Sequence, residues 1–210
     1  MRSKERGVRS EELKISFFPD APCSLLFYAP IAQLDRATDY ESVGRGFDSL
    51  WAHQAKKVKS QEHDHKFMTL ALSEAERASE KGEVPIGAVI VVDGRVVSRG
   101  HNLRELNIDP TAHAEMIAIG KAAKKLKSWR LANSTLYVTV EPCVMCIGAI
   151  ILARVPRLVF GCYDPKGGAV GSLYDISNDK RLNHRVQVTS GVMADEAQAL
   201  LQGFFKKLRK

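Results

Sequence analysis

The chain of 210 residues is poor in cysteine, with only Cys23, Cys143, Cys146 and Cys162. A disulfide-stapled fold needs more of them in a shorter secreted chain, so that class is excluded. In a reducing compartment, a close pair such as Cys143 and Cys146 binds metal or does redox work instead. Also missing is any apolar run of the ~18 to 20 residues that a membrane-spanning helix requires. Cys143 to Ala153 is apolar but too short, with charged or polar sequence at both ends. Ala21 to Ile31 is interrupted by prolines and lies far from the basic start, which makes it a poor secretory signal. A cytoplasmic protein is the expectation. No segment repeats another. What is present is enough apolar sequence for a core, 45% hydrophobic against 26% charged, with a formal net charge of +7. Lys206, Lys207, Arg209 and Lys210 concentrate positive charge at the C-terminal end. Such an excess suits a polyanion whose counterions are released on binding, and on charge alone a solvated surface fits equally well.

Two unlike parts follow one another. Residues 1–60 begin with a charged irregular stretch, prolines at 19, 22 and 30 break any period, and Asp35 to Asp48 carries no helical or strand pattern. Ala32 to His53, with Gly46-Phe47-Asp48-Ser49 inside it, looks like spurious translation through a tRNA gene. No methionine lies between Met1 and Met68, so a later start would use a non-AUG codon, for instance at Val58. The expectation is a disordered or spurious N-terminal extension over 1–60 and one folded domain over 61–210.

From His63 the pattern becomes regular. Phe67, Leu70, Ala71, Ala75 and Ala78 recur at helical spacing, and Gly82 can end that helix. Ile86 to Val92 reads as a buried strand, Asp93-Gly94 as a tight hairpin turn, and Arg95 to Gly100 as the returning strand. After a loop to Pro110, Thr111 is placed to cap a helix over about 112–126. Leu136 to Val140 is a strand, Pro142 opens a helix through about Ala153, and Arg157 to Gly161 is a fourth strand. A glycine-rich loop leads to Leu173, Val186 to Thr189 makes a fifth strand, and Asp195 caps the last helix. Strands alternating with helices after a hairpin predict an α/β, three-layer αβα fold with a five-stranded mixed sheet and helices on both faces.

Two helix starts carry chemistry: His113-Ala114-Glu115 and Pro142-Cys143-Val144-Met145-Cys146. A catalytic zinc takes three protein ligands and leaves the fourth position to water. His113, Cys143 and Cys146 supply an imidazole and two thiolates. Residues two apart on a helix point to nearly opposite sides, so His113 and Glu115 serve one centre only if the metal sits off the helix end. Cys143 and Cys146, three apart, share a face at the other helix start, where free N–H groups and the dipole favour thiolates. Glu115 is the fourth, non-ligating group. A carboxylate beside an activated water can take its proton and pass it to a ring nitrogen. CxxC alone also fits a structural zinc, a redox pair or simple burial, and HxE alone fits a surface pair. Together they match the signature of zinc-dependent nucleobase deaminases.

From about His63 onward the chain resembles the bacterial TadA-type tRNA-specific adenosine deaminases. The matching stretches are VPIGAVIV (84–91), DPTAHAE (109–115), LYVTVEPCVMC (136–146), RLVFG (157–161), GAVGS (168–172) and NHRV (183–186). The resemblance implies a cytidine deaminase-like fold, a homodimer, and conversion of adenosine to inosine at the wobble position of a tRNA anticodon stem-loop. By position, His113, Cys143 and Cys146 are then ligands of one Zn2+ per subunit, and Glu115 is the proton shuttle. Asn102 matches a residue that contacts the substrate nucleoside, though Asn is also common in turns. Asp164 and Lys166 match a loop that approaches the RNA, and would otherwise be a solvated turn. Phe204 and Phe205, beside the terminal basic residues, match a helix lining the RNA groove. Two Phe on a last helix equally serve to dock it. His63, His65, Cys162, Trp51 and Trp129 lack partners at ligand spacing and are assigned no function, and Cys23 lies in the extension.

HAE with PCxxC does not by itself separate this activity from deamination of free guanine, cytosine or a nucleotide. The ~50 residues after the fourth strand are too few for the reductase domain of a riboflavin-pathway enzyme. A zinc-stabilised RNA-binding module without activity is the reading from another class, and Glu115 argues against it.

Overall fold

The computed structural model describes residues 61–209. The sequence expectations for residues 1–60, including Cys23 and Trp51, lie outside the described residues.

Small and apolar residues at helical spacing make the first helix, α1, which covers residues 61–80 of the described chain. Its buried stripe of Phe67, Met68, Ala71, Ala75 and Ala78 faces the sheet. Gly82 ends it at φ +78°, a left-handed conformation that glycine adopts without Cβ strain. β1 (Gly87–Val92) and β2 (Arg95–His101) form the expected hairpin. Asp93 and Gly94 at its tip both have positive φ, as a type I′ turn requires. At Gly87, a Cβ would overlap the backbone of Ala71 and Ala75, so the missing side chain is what lets α1 lie directly on β1.

The loop after β2 contains a short helix not expected from the sequence, α2 (Arg104–Asn107), closed by Ile108 at φ 51°. α3 (Ala114–Leu126), β3 (Ser134–Val140), α4 (Val144–Leu152), β4 (Arg157–Cys162), β5 (Gln187–Thr189) and α5 (Ala194–Leu208) complete the order. The five strands lie in the order β2-β1-β3-β4-β5. β1 pairs antiparallel with β2 and β3, while β3–β4 and β4–β5 are parallel, which makes the sheet mixed.

Alternate residues of the central strands feed two layers. Ala88, Ile90, Leu136, Val138, Leu158 and Phe160 pack with α3 and α4. Val89, Val91, Tyr137 and Val159 pack with α1, and a third cluster joins Leu72 to Ala197 of α5. The result is the three-layer αβα architecture. Among the described residues no helix is long and apolar enough to cross a membrane.

Two expected caps and one expected helix start are corrected. Thr111 does not cap α3: its backbone N–H and hydroxyl both donate to Asp109 Oδ1, and His113 is the N-cap residue. Pro142 stands one residue before the N-cap of α4, which is Cys143. Asp195 lies in the first turn of α5 behind Met193, where its charge still favours the helix dipole.

Candidate metal and deaminase site

The caps matter because they decide where the chemistry sits. His113 and Cys143 both have extended backbones at N-cap positions (φ −74°, ψ 153° and φ −75°, ψ 176°), so each side chain stands off its helix end. α3 and α4 share one face of the sheet, and their N-termini meet. His113 Nδ1 lies 3.8 Å from Cys143 Sγ and 3.5 Å from Cys146 Sγ. All three ligand atoms lie within 4.8 Å of one another. In a tetrahedral zinc site with ordinary bond lengths, N and S ligands stand about 3.6 Å apart, so the donor set and its spacing fit that ion. The objection that His113 and Glu115 point apart disappears, because His113 lies outside the helix.

Cys146 is fully buried, whereas His113 and Cys143 are partly accessible, so the group opens on one side. Glu115, on the first turn of α3, is 4% exposed. Burial pushes the Glu115 carboxyl above its ordinary range. A hydrogen bond from Cys146 draws Cys143 down to about 3, and Cys146, which donates that bond and is buried, is pushed up. His113 is raised by its bond to Cys143.

Sequence reasoning missed the acid that links this group to its surroundings. Glu141 is buried at the end of β3, immediately before Pro142. Its carboxylate accepts from the N–H groups of Asp164 (3.1 Å), Val170 (2.9 Å) and Ser172 (3.0 Å), and from the Ser172 hydroxyl. A Cβ at Gly168 would overlap that carboxylate. Ala169 N–H also donates to Pro142 O (2.9 Å), and Cys143 bridges to Gly168. The loop over residues 163–172 is therefore fastened to the segment that carries the two cysteines. These partners are 23 to 31 residues away in sequence, so no local pattern announces them.

The same loop leads to the other candidates. Lys166 N–H donates to Asp164 Oδ1 (3.0 Å), so Asp164 stabilises its own turn. That turn and α5 together line a groove of about 750 Å³ that includes Asp164, Lys166, Phe205, Lys206 and Arg209. The two phenylalanines divide. Phe204 is 8% exposed and docks α5, whereas Phe205 is 43% exposed and faces the groove. Asn102 follows β2 and is 3% exposed. Leu103 N–H donates to Ala112 O (3.0 Å), which holds this stretch beside His113.

The residues set aside stay apart from the site. Cys162 is buried and donates only a weak bond to Thr139 O, and burial pushes its thiol up. Trp129 is exposed under Arg130, while His63 packs edge-on against Phe67.

An αβα fold that joins a His/Cys/Cys group to a buried, non-ligating glutamate defines a deaminase of the cytidine deaminase-like class. The family profile of MafB19-like deaminases matches residues 61–209. A tRNA-specific adenosine deaminase of Bacillus subtilis is 51% identical over 147 residues, spanning 70% of this chain and 91% of that protein. A solved structure from a study of A-to-I editing by tRNA deaminases at the wobble position is 47% identical, with a TM-score of 0.63. It covers 65% of this chain and 99% of its own. A guanine deaminase from Nitrosomonas europaea shares the fold at 26% identity and a TM-score of 0.55, covering 65% of this chain and 81% of its own. The chain belongs to the tRNA-specific adenosine deaminases, within the MafB19-like deaminase family.

Proposed function

We propose that this protein hydrolyses adenosine to inosine at the wobble position of a tRNA anticodon, as a homodimer with one zinc ion per subunit. The observation that carries this is the union of His113, Cys143, Cys146 and buried Glu115 with a basic, aromatic-edged groove reached through the Glu141-anchored loop. The names of the relatives support the substrate, and the guanine deaminase marks the nearest rival.

His113, Cys143 and Cys146 would hold the zinc ion, which would supply the Lewis acidity that brings a water toward its nucleophilic form near neutral pH. Glu115 takes the proton of that water as its oxygen bonds to C6, and delivers it to the ring nitrogen N1. Glu115 then takes the proton of the new C6 hydroxyl and passes it to the amine, the C6–N bond breaks, and ammonia leaves as the carbonyl of inosine forms. Water and adenosine are consumed, and inosine and ammonia are produced. Asn102 borders the base. Phe205, Lys166, Lys206 and Arg209 take flanking nucleotides, one aromatic face and several cations along a strand. An anticodon loop lowers the cost of flipping because its bases are already unpaired.

The homodimer rests on the family resemblance, and on Ile108, Val144 and Leu152, large apolar side chains left exposed on the elements that carry the site. The compartment is the cytoplasm, where thiols stay reduced. Residues 61–210 are the deaminase domain, and residues 1–60 are dispensable for activity.

The full chain and residues 61–210, each loaded with zinc, are offered an anticodon stem-loop, free adenosine, cytosine and guanine. Inosine in the stem-loop alone, from both proteins, is the expected result. Turnover of a free base with an inert stem-loop would retain the metal chemistry and overturn the tRNA assignment.

The neighbouring phenylalanines give a second check. Phe205→Ala raises KM for the stem-loop about tenfold, since a lost base stack is worth about 1–3 kcal/mol, and leaves the melting temperature unchanged. Phe204→Ala does the reverse, destabilising by about 3 kcal/mol through the cavity it leaves under α5. Equal KM effects without a difference in melting would show that neither residue has the assigned part.

A further inference from the structure

Glu83 follows the glycine that ends α1 and is 1% exposed. Among the described residues it forms no salt bridge. Its two oxygens are spent separately: Oε1 accepts the Leu106 N–H (2.8 Å) and Oε2 accepts from Asn102 Nδ2 (3.2 Å). A carboxylate buried without a cation is costly, and an apolar side chain would fill the space at less expense. The backbone around Asn102 is already fixed. Its own N–H donates to Ile86 O (3.0 Å), and the next residue's N–H is held by Ala112. The side-chain amide is the one part of Asn102 that backbone pairing leaves free to turn over. Asn102 Oδ1 has no protein partner among the described residues.

We propose that Glu83 is a positioning residue that fixes the amide of Asn102, and thereby the pattern of donor and acceptor that the site presents to a nucleobase. This rests on the deaminase reading above. A carboxylate only accepts hydrogen bonds. The Asn102 amide must therefore turn its nitrogen to Glu83, because the flipped amide would set oxygen against oxygen. Glu83 cannot rotate to evade the choice, since its other oxygen is tied to Leu106. That leaves Asn102 Oδ1, with the second N–H, in one defined orientation beside His113. Glutamine has the same shape but cannot do this. Its amide must face either the Leu106 N–H or the Asn102 nitrogen with a donor of its own, and a flip of Asn102 relieves the conflict. The flip reverses the pattern offered to the base. The buried charge is what makes the orientation single-valued.

The test is a double-mutant cycle on the full, zinc-loaded chain, read as single-turnover rate and KM on the stem-loop, with metal content and melting temperature as controls. Glu83→Gln lowers the rate about tenfold or more, because a misaimed base loses near-attack geometry, while KM stays within about twofold and zinc is retained. In the Asn102→Ala background the same substitution changes the rate less than about twofold, because the group through which Glu83 acts is gone. A rate loss of equal size in both backgrounds would assign Glu83 to holding the loop through Leu106, and would overturn the proposal. So would an unchanged rate in Glu83→Gln. If Glu83→Gln does not fold, Glu83→Asp, too short to reach both partners, takes its place with the same expectations. An inactive wild-type chain would remove the deaminase reading and this inference with it, whereas an active wild type without coupling removes the inference alone.

Discussion

Glu115→Gln is expected to cost at least about a thousandfold in turnover while the protein keeps its metal. General acid–base catalysis contributes roughly 10²- to 10⁴-fold in enzymes, and here one carboxyl has to serve twice. It must remove a proton from water, deliver it to N1, and then protonate the departing amine. An amide of the same shape can do none of these steps. Glu115 is not among the three residues whose ligand atoms cluster, so zinc content per chain should be unchanged. Its burial makes the glutamine variant preferable to alanine, which leaves a cavity at the start of α3. The measurements are inosine formed per turnover in the stem-loop and zinc per chain by elemental analysis. Residual activity above a tenth of the wild type would remove Glu115 from the mechanism. Loss of zinc together with activity would recast it as part of the metal group.

Cys146→Ser is the second large effect, with activity falling to background and bound zinc to below about a tenth of an ion per chain. Cys146 is fully buried, and its sulfur lies 3.5 Å from His113 Nδ1. A serine hydroxyl is a harder and far weaker donor than thiolate. The group sits where α3 and α4 meet, so a cation there ties two helices and stabilises the fold by mass action, about 2.7 kcal/mol at a hundredfold excess over Kd. A chelator should therefore lower the melting temperature of the wild type, with recovery on adding zinc, and leave that of the variant unmoved. A variant that still binds zinc stoichiometrically would show that this sulfur is not a ligand.

Much of the framework was legible in the sequence. The spacing of Phe67, Ala71, Ala75 and Ala78 marked α1, and Asp93-Gly94 marked the hairpin through a conformation that few residues adopt. Helix starts were found to within a few residues, but their caps were not. At Thr111 a competing acceptor, Asp109, lay two residues away and took both donors. α2 was missed because four residues are too few to show a period.

The sequence by itself determined which residue types could hold a metal, which acid stood beside them, and that both groups began helices. Within each of the two motifs the residues lie two or three positions apart, so the helix repeat and the chemistry of imidazole, thiolate and carboxylate are enough to read them. Only the tertiary structure decided that His113 meets cysteines 30 and 33 residues on, because packing of α3 and α4 on one sheet face sets that distance. It also decided that Phe204 is buried and Phe205 free. Neighbours on a helix point about 100° apart, and identical side chains carry no sign of which one will face the core. The roles of Glu83 and Glu141 were hidden for the same physical reason. A buried carboxylate is defined by the donors that surround it, and the chain brings those donors from distant positions only when it folds.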